Sequence, residues 1–273
     1  MTVRTALTQG TGLLENGGVG VPRLTAEVLL CHAMRVERVY LFAHPEQELA
    51  ELAWLHYGRY LHERLQGKPT QYITSKQEFF GREFRVTPDV LIPRPETEHV
   101  VEVAREVASG GSRILDIGTG SGALAVTLSL EMSVPAWATD ISPAAAQVAA
   151  ENAARWNAPV HIAVCDLMSP VADGSMDLIV SNPPYVPSTQ REGLQREVRD
   201  YEPHVALFAG PGGFEIYDRI VTDAPRVLRS GGWLVMELGF GSLAHVQERL
   251  SGWRDLRVVA DLAGIPRVIA ARR

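Results

Sequence analysis

The sequence predicts a doubly wound α/β protein with a mostly parallel, seven-stranded sheet and an antiparallel last strand. A small helical domain and a β-hairpin linker precede it. Three observations carry this. From residue 113 onward, short apolar and β-branched runs alternate with helical stretches, the pattern of a parallel sheet with crossover helices. The last two runs, "LRVVADL" and "PRVIAAR", are joined by only a few residues around Gly264, too few for a parallel crossover. Residues 1 to about 75 space their apolar residues by three and four and never alternate with period two.

Taken in order, "RLTAEVLLCHAM" reads as a helix, with Pro22 at its start and Leu24, Val28, Leu29 and Leu30 near one face. "LAELAWLHYGRYLHERLQG" is a second long helix, stopped by Gly67 and Pro69. Phe79–Phe80 and Phe84–Val86 flank Gly81 as a hairpin. Pro93 and Pro95 stiffen the chain, and Glu96 is expected to open a helix reaching about Ala108. The domains are therefore drawn as 1–75, a 76–95 linker, and 96–273. The strands are "RILDIG", "AWATDI", "VHIAVCD", "MDLIVSN", "WLVMELG" and the final pair. Ser142 and Pro143 start the helix "SPAAAQVAAENAARW" as N-cap and first residue. "GFEIYDRIVTDAPRVLRSGG" is expected to stay helical up to its Gly-Gly, kinked by Pro225.

Composition narrows the class. Hydrophobic residues are 46% and charged residues 21%, ordinary for a soluble globular chain. A net charge of −6 weighs against a protein held mainly by nucleic-acid phosphates. Arg59–Arg94 holds seven basic and four acidic residues, better read as a solvated surface than as a docking patch. Cys31 and Cys165 make no disulfide framework, and the eight histidines show no ligand spacing, so no metal is expected. With no apolar signal core and no bilayer-length run, the expectation is cytoplasmic, with no membrane partner.

Four motifs fall at the carboxyl ends of strands, where such sheets bind ligands. "LDIGTGSGALA" gives a turn containing Gly118, Thr119, Gly120, Ser121 and Gly122. Its GxGxG spacing favours a nucleoside ligand without a pyrophosphate over the GxGxxG of dinucleotide sites. Asp140 ends the second strand 22 residues after Gly118. Alone it fits a helix N-terminal acid equally well; after the glycine turn it fits an acceptor for two ribose hydroxyls. Asp166 ends the third strand and suits either an exocyclic amino group or a loop cap, with Leu167 available to cover a ring. "SNPPY" ends the fourth. Its prolines cannot sit in a ladder, so they stop the strand and fix Asn182, Pro183, Pro184 and Tyr185 at the rim.

The glycine turn, the acid after the second strand and Asn-Pro-Pro-Tyr together resemble the amino-methyltransferases that use S-adenosylmethionine. More narrowly, "EFFGREFRVTPDVLIPRPETE", "SNPPYVP", "YEPHVALFAGPGGFEIY", "LRSGGWLVMELG" and "ERLQGKPTQYI" resemble the release factor glutamine methyltransferases, from about residue 20 onward. Family members commonly follow the fifth strand with Glu-Ile-Gly and a Gln, where this chain has "ELGFGS", and often carry an aromatic residue at Leu167.

The resemblance implies a Rossmann-like class I methyltransferase domain over 96–273 behind a substrate-docking helical domain. It also implies S-adenosylmethionine as cofactor, S-adenosylhomocysteine as product, and the Gln of the Gly-Gly-Gln loop of peptide chain release factors as target. Cofactor contacts are expected from Gly118, Thr119, Gly120, Ser121, Gly122, Asp140, Asp166, Leu167 and Asn182. The planar target would meet Asn182, Pro183, Pro184 and Tyr185. Asn182 and the Pro183 carbonyl would accept its N–H groups, and Tyr185 would stack on its plane. Arg94, Pro95 and Glu96 are expected over the cofactor pocket. A monomer without direct nucleic-acid contact is expected. Two other readings use the same motifs: an N6-adenine methyltransferase acting on nucleic acid, which the acidic charge and lack of a recognition domain disfavour, and a non-catalytic nucleotide-binding or dehydrogenase-like module, which the glycine spacing and Asn182 disfavour.

Overall fold

A computed structural model describes residues 1–273. Helix α1 (Val3–Asn16) starts at Thr2, whose hydroxyl accepts from the Thr5 amide and satisfies one of the helix's free donors. It is followed by α2 (Pro22–Met34), α3 (Arg38–Ala43), α4 (Glu51–Leu65) and α5 (Thr70–Thr74). Leu7, Leu14, Leu29, Leu30, Leu41, Tyr57 and Leu61 close a core among them. Leu24 departs from the expected face and is exposed. At 100° per residue it lies roughly 140° from Leu29. Thr25, Ala26 and Glu27 of α2 are buried instead, and the Glu27 carboxylate accepts from Arg23 Nε at 2.6 Å and Arg38 Nε at 2.7 Å.

The hairpin of β1 (Lys76–Phe79) and β2 (Arg82–Arg85) turns at Phe80 and Gly81, the latter with φ +70°. Phe79 and Phe84 meet edge to face at 6.1 Å and are buried. A 3₁₀ turn, Pro95–Thr97, then leads into α6 (Glu98–Val107). The main sheet follows: β3 (Ile114–Ile117), α7 (Ala123–Met132), β4 (Ala136–Asp140), α8 (Pro143–Arg155), β5 (Val160–Val164) and β6 (Met176–Ser181). Next come β7 (Val186–Pro187), α9 (Arg196–Tyr201), α10 (His204–Leu207) and β8 (Phe208–Gly210). The chain ends with α11 (Glu215–Val227), β9 (Leu228–Glu237), α12 (Leu243–Arg249), β10 (Arg254–Ala260) and β11 (Pro266–Arg272).

The seven strands lie in the order β10-β11-β9-β6-β3-β4-β5, and only β11 runs antiparallel to its neighbours. From β3 the chain winds outward through β4 and β5, then returns to β6 on the other side. The switch point therefore lies between β3 and β6. The expected helix ending at Gly231–Gly232 stops earlier, at Val227. Leu228 is fully buried and pairs with Met176, so the strand claims residues 228–232. Asn152 on α8 binds the hairpin to the glycine turn. It accepts from Arg85 N at 2.8 Å and donates to Arg85 O at 2.9 Å and Ser121 O at 2.8 Å.

The chain divides into two compact units: Met1–Ser75 with Gln195–Tyr201, and Lys76–Leu194 with Glu202–Arg273. The segment carrying α9 thus clusters with the helices, although it falls inside the 96–273 span drawn from sequence. Within the first unit Arg64 Nη2 donates to Glu197 Oε2 at 2.6 Å, and the Tyr201 hydroxyl donates to Gln66 O at 3.2 Å. No helix is long and apolar enough to cross a membrane.

Candidate active site

The turn after β3 is held by backbone bonds. The amides of Gly118 and Thr119 both donate to Thr139 O, at 2.8 and 3.0 Å. Gly122 has φ +82°, and a Cβ on it would lie 3.2 Å from Ala149 Cα, so only glycine lets α8 rest on the turn. Asp140 is nearly buried; its two oxygens accept from Gly120 N at 2.8 Å and Ser142 N at 2.9 Å. Asp116, in β3 and fully buried, accepts from the Thr119 hydroxyl at 2.6 Å and Ala125 N at 3.2 Å through Oδ2. Its Oδ1 is buried without a partner. Burial pushes its carboxyl up to about 7, against the opposing pull of those two donors.

A cleft of about 220 Å³ opens over this turn. Gly118, Thr119, Gly120, Ser121 and Asp140 line it, as do Asp166, Leu167, Asn182 and Pro184. Gly122 does not, since it faces Ala149. Arg94, Pro95 and Glu96 are also off the wall. Asp89, Val90, Leu91, Pro93 and Thr97 line that side instead, and Arg94 is drawn away into an ion pair with buried Glu202. Asp166 is half exposed, and its carboxylate already accepts from Arg219 Nη2 at 2.7 Å. Leu167 takes a left-handed backbone, φ +50°.

Pro183 is buried and Tyr185 partly so. The Tyr185 ring lies against Gly239, where a Cβ would come within 2.5 Å of Cδ2. Burial, then the nearby Glu237, pushes the Tyr185 hydroxyl up to about 12. Asn182 Nδ2 donates to Thr97 Oγ1 at 3.1 Å, and the Thr97 hydroxyl donates to Glu237 Oε2 at 2.5 Å. The Tyr217 hydroxyl donates to Glu237 O at 2.8 Å and accepts from Gly239 N at 3.0 Å, clamping the end of β9. Sequence reading missed Thr97, Glu237, Tyr217 and Gly239. Thr97 stands beside the flagged Arg94–Glu96 run, but no local signal ties it to Asn182, 85 residues away.

A doubly wound sheet whose next-to-edge strand β11 runs against both neighbours is the sheet of the class I methyltransferases. The cofactor of that class is S-adenosylmethionine. Residues 5–74 match the family model of the PrmC N-terminal domain, and residues 99–198 that of the methyltransferase small domain. The release factor glutamine methyltransferase of Koribacter versatilis (strain Ellin345) is 44% identical over 277 residues, spanning 100% of this chain and 99% of that protein. The enzyme of the same name from Bacillus subtilis (strain 168) is 40% identical, over 90% of each chain. The hMettl16 catalytic domain, solved in complex with MAT2A 3'UTR hairpin 1, superimposes with a TM-score of 0.59 over 78% of this chain and 80% of that one. At 18% identity that likeness concerns the fold alone. The chain belongs to the release factor glutamine methyltransferase family.

The residues present fit S-adenosylmethionine. Each Asp140 oxygen has accepted one amide and retains a lone pair for a ribose hydroxyl. Gly118 and Gly120 leave open space on their Cβ side. The unpartnered Asp116 Oδ1 on the cleft wall is the kind of acceptor that an ammonium group satisfies, directly or through water.

Proposed function

We propose that this chain transfers the methyl group of S-adenosylmethionine to the side-chain amide nitrogen (N5) of the glutamine in the Gly-Gly-Gln loop of peptide chain release factors. The carrying observation is that Asn182 and Pro184 share one cleft with the glycine turn and Asp140. A planar acceptor for N–H groups then stands across from a site suited to the cofactor's nucleoside.

In this reading Asp140 holds the ribose, the glycine turn lies under the nucleoside, and Leu167 covers the base edge beside Asp166. When bound, S-adenosylmethionine supplies a methyl group on a sulfonium already activated for transfer. The chain's own task is orientation and exclusion of water. An amide nitrogen is a poor nucleophile because its lone pair is shared with the carbonyl. Asn182 Oδ1 and the Pro183 carbonyl accept its two hydrogens, which aims the nitrogen and favours the developing positive charge. Pro184 stiffens the turn, and Tyr185, seated on Gly239, packs on the amide plane. No strong base is required before transfer, because the nitrogen gives up its proton afterwards. Residues 1–75 dock the substrate, and the enzyme acts as a cytoplasmic monomer.

The test presents release factor and DNA side by side with methyl-labelled S-adenosylmethionine. Label should appear on the release factor and vanish when its loop Gln is replaced by Ala; label on DNA, or label that survives the replacement, rejects the assignment. S-adenosylmethionine and not NAD should raise the melting temperature.

A further inference from the structure

We propose that Thr97 and Glu237 are positioning residues that hold the Asn182 carboxamide with its oxygen, rather than its nitrogen, toward the target amide. The inference rests on the methyl-transfer reading above. A carboxamide's oxygen and nitrogen are nearly the same size, and nothing in Asn182 itself decides which faces the cleft. The answer matters, because a target NH₂ needs an acceptor and would meet two donors if the group turned over.

The direction is set from the far end. Glu237 is 3% exposed, the last residue of β9, and an ionised carboxylate only accepts. The single hydroxyl hydrogen of Thr97 is therefore committed to Glu237 Oε2, at 2.5 Å. What Thr97 Oγ1 has left is lone pairs, so its other neighbour must donate. That neighbour is Asn182 Nδ2, at 3.1 Å. With the nitrogen tied to Thr97, Oδ1 is the end left for the substrate. Tyr217 holds the Glu237 carbonyl and the Gly239 amide, and so keeps the end of β9 in register with the other two residues.

The chain of bonds has one way to reverse. A protonated Glu237 can donate to Thr97, which then donates to Asn182 Oδ1 and turns the amide over. Burial pushes the Glu237 carboxyl up to about 7 against the opposing Thr97 hydrogen bond. Glu96 adds to the rise, Arg267 and Arg94 oppose it, and Tyr185 and Tyr217 stand near as neutral phenols. The ionised carboxylate therefore enforces the accepting orientation above about pH 7, and protonation below that admits the reversed one.

The experiment uses the full chain with release factor as substrate, and calorimetry for S-adenosylmethionine. Thr97→Val should lower kcat by about tenfold or more while cofactor affinity stays within about twofold. Thr97→Ser, which keeps the hydroxyl, should recover most of the rate. Glu237→Gln, which has no carboxyl to titrate, should remove an acid limb near pH 7 from the kcat profile. An unimpaired Thr97→Val, a Thr97→Ser as slow as Thr97→Val, or an unchanged limb in Glu237→Gln overturns the proposal. A readout without turnover guards against misfolded variants. In ¹⁵N-labelled unmodified protein at pH 8 the Asn182 side-chain NH₂ should exchange slowly with water and lose that protection below pH 7. Fast exchange throughout also overturns it. If the unmodified chain methylates no release factor, the functional reading fails, while the exchange measurement still judges the orienting chain.

Discussion

The two walls of the cleft are built in opposite ways. On the glycine-turn side, most of the hold comes from within residues 116–142: backbone amides grip Thr139 and Asp140, Asp140 fixes the turn that it serves, and Asn152 adds one bond to Ser121 O. On the amide side, Asn182 is held by Thr97 and Glu237, which come from segments 85 and 140 residues apart in their successive links. A locally built wall has its geometry dictated by main chain, and single side-chain changes there act mostly on binding. A wall assembled from remote side chains acts as a unit, and its members are expected to fail together.

Breaking the amide wall should have the largest effect. Asn182→Ala is expected to cut kcat by on the order of 10²–10³, the scale seen when one aligned transition-state hydrogen-bond partner is removed. Cofactor affinity by calorimetry should hold within about threefold, and a loss confined to affinity would erase the distinction between the walls. Breaking the glycine-turn wall comes next. Asp140→Ala should weaken S-adenosylmethionine binding by about 100-fold, for the two hydrogen bonds to a charged acceptor. kcat at saturating cofactor should be far less changed; a drop in kcat with affinity intact would show the walls to be alike.

A further effect, outside turnover and binding, is on pH-dependent stability. Asp116 has an ordinary carboxyl value near 3.8, raised in the fold to about 7 by burial. Between those values the folded chain binds more proton than the unfolded one, so stability conferred by the neutral carboxyl is lost as pH rises from about 4 to 7. Asp116→Asn should make that part of the urea-unfolding profile shallower, leaving the share that Glu237 contributes, measured without cofactor. A slope left unchanged would mean that Asp116 carries its charge freely in the fold.

The same contrast explains what could be read in the sequence. All seven strands, the hairpin around Gly81 and the turn after β3 follow from period, glycine and proline, signals that act within a few residues. Asn182 was legible because prolines cannot continue a strand. Asn152 was not, since nothing in the helix "SPAAAQVAAENAARW" announces three bonds to the hairpin and the glycine turn. Thr97 escaped although its neighbours Arg94–Glu96 were singled out. The family resemblance points to those three, while a threonine's partner lies wherever the fold brings it. The α11 boundary was misread because Gly231–Gly232 is a strong local stop, whereas burial of Leu228 against β6 is a tertiary effect.

The membership of Gln195–Tyr201 in the helical unit bears on how such enzymes can exchange parts. The chain passes from one unit to the other at three places, not one, and a cut at Ser75 does not separate them cleanly. Taking residues 1–75 from a relative would strand Glu197 and Tyr201 opposite side chains and carbonyls they were not matched to, in place of Arg64 and Gln66. A working hybrid has to carry both pieces together, so the amino-terminal unit of this chain behaves as a two-part graft whose smaller part is spliced into the loop downstream of Asn-Pro-Pro-Tyr.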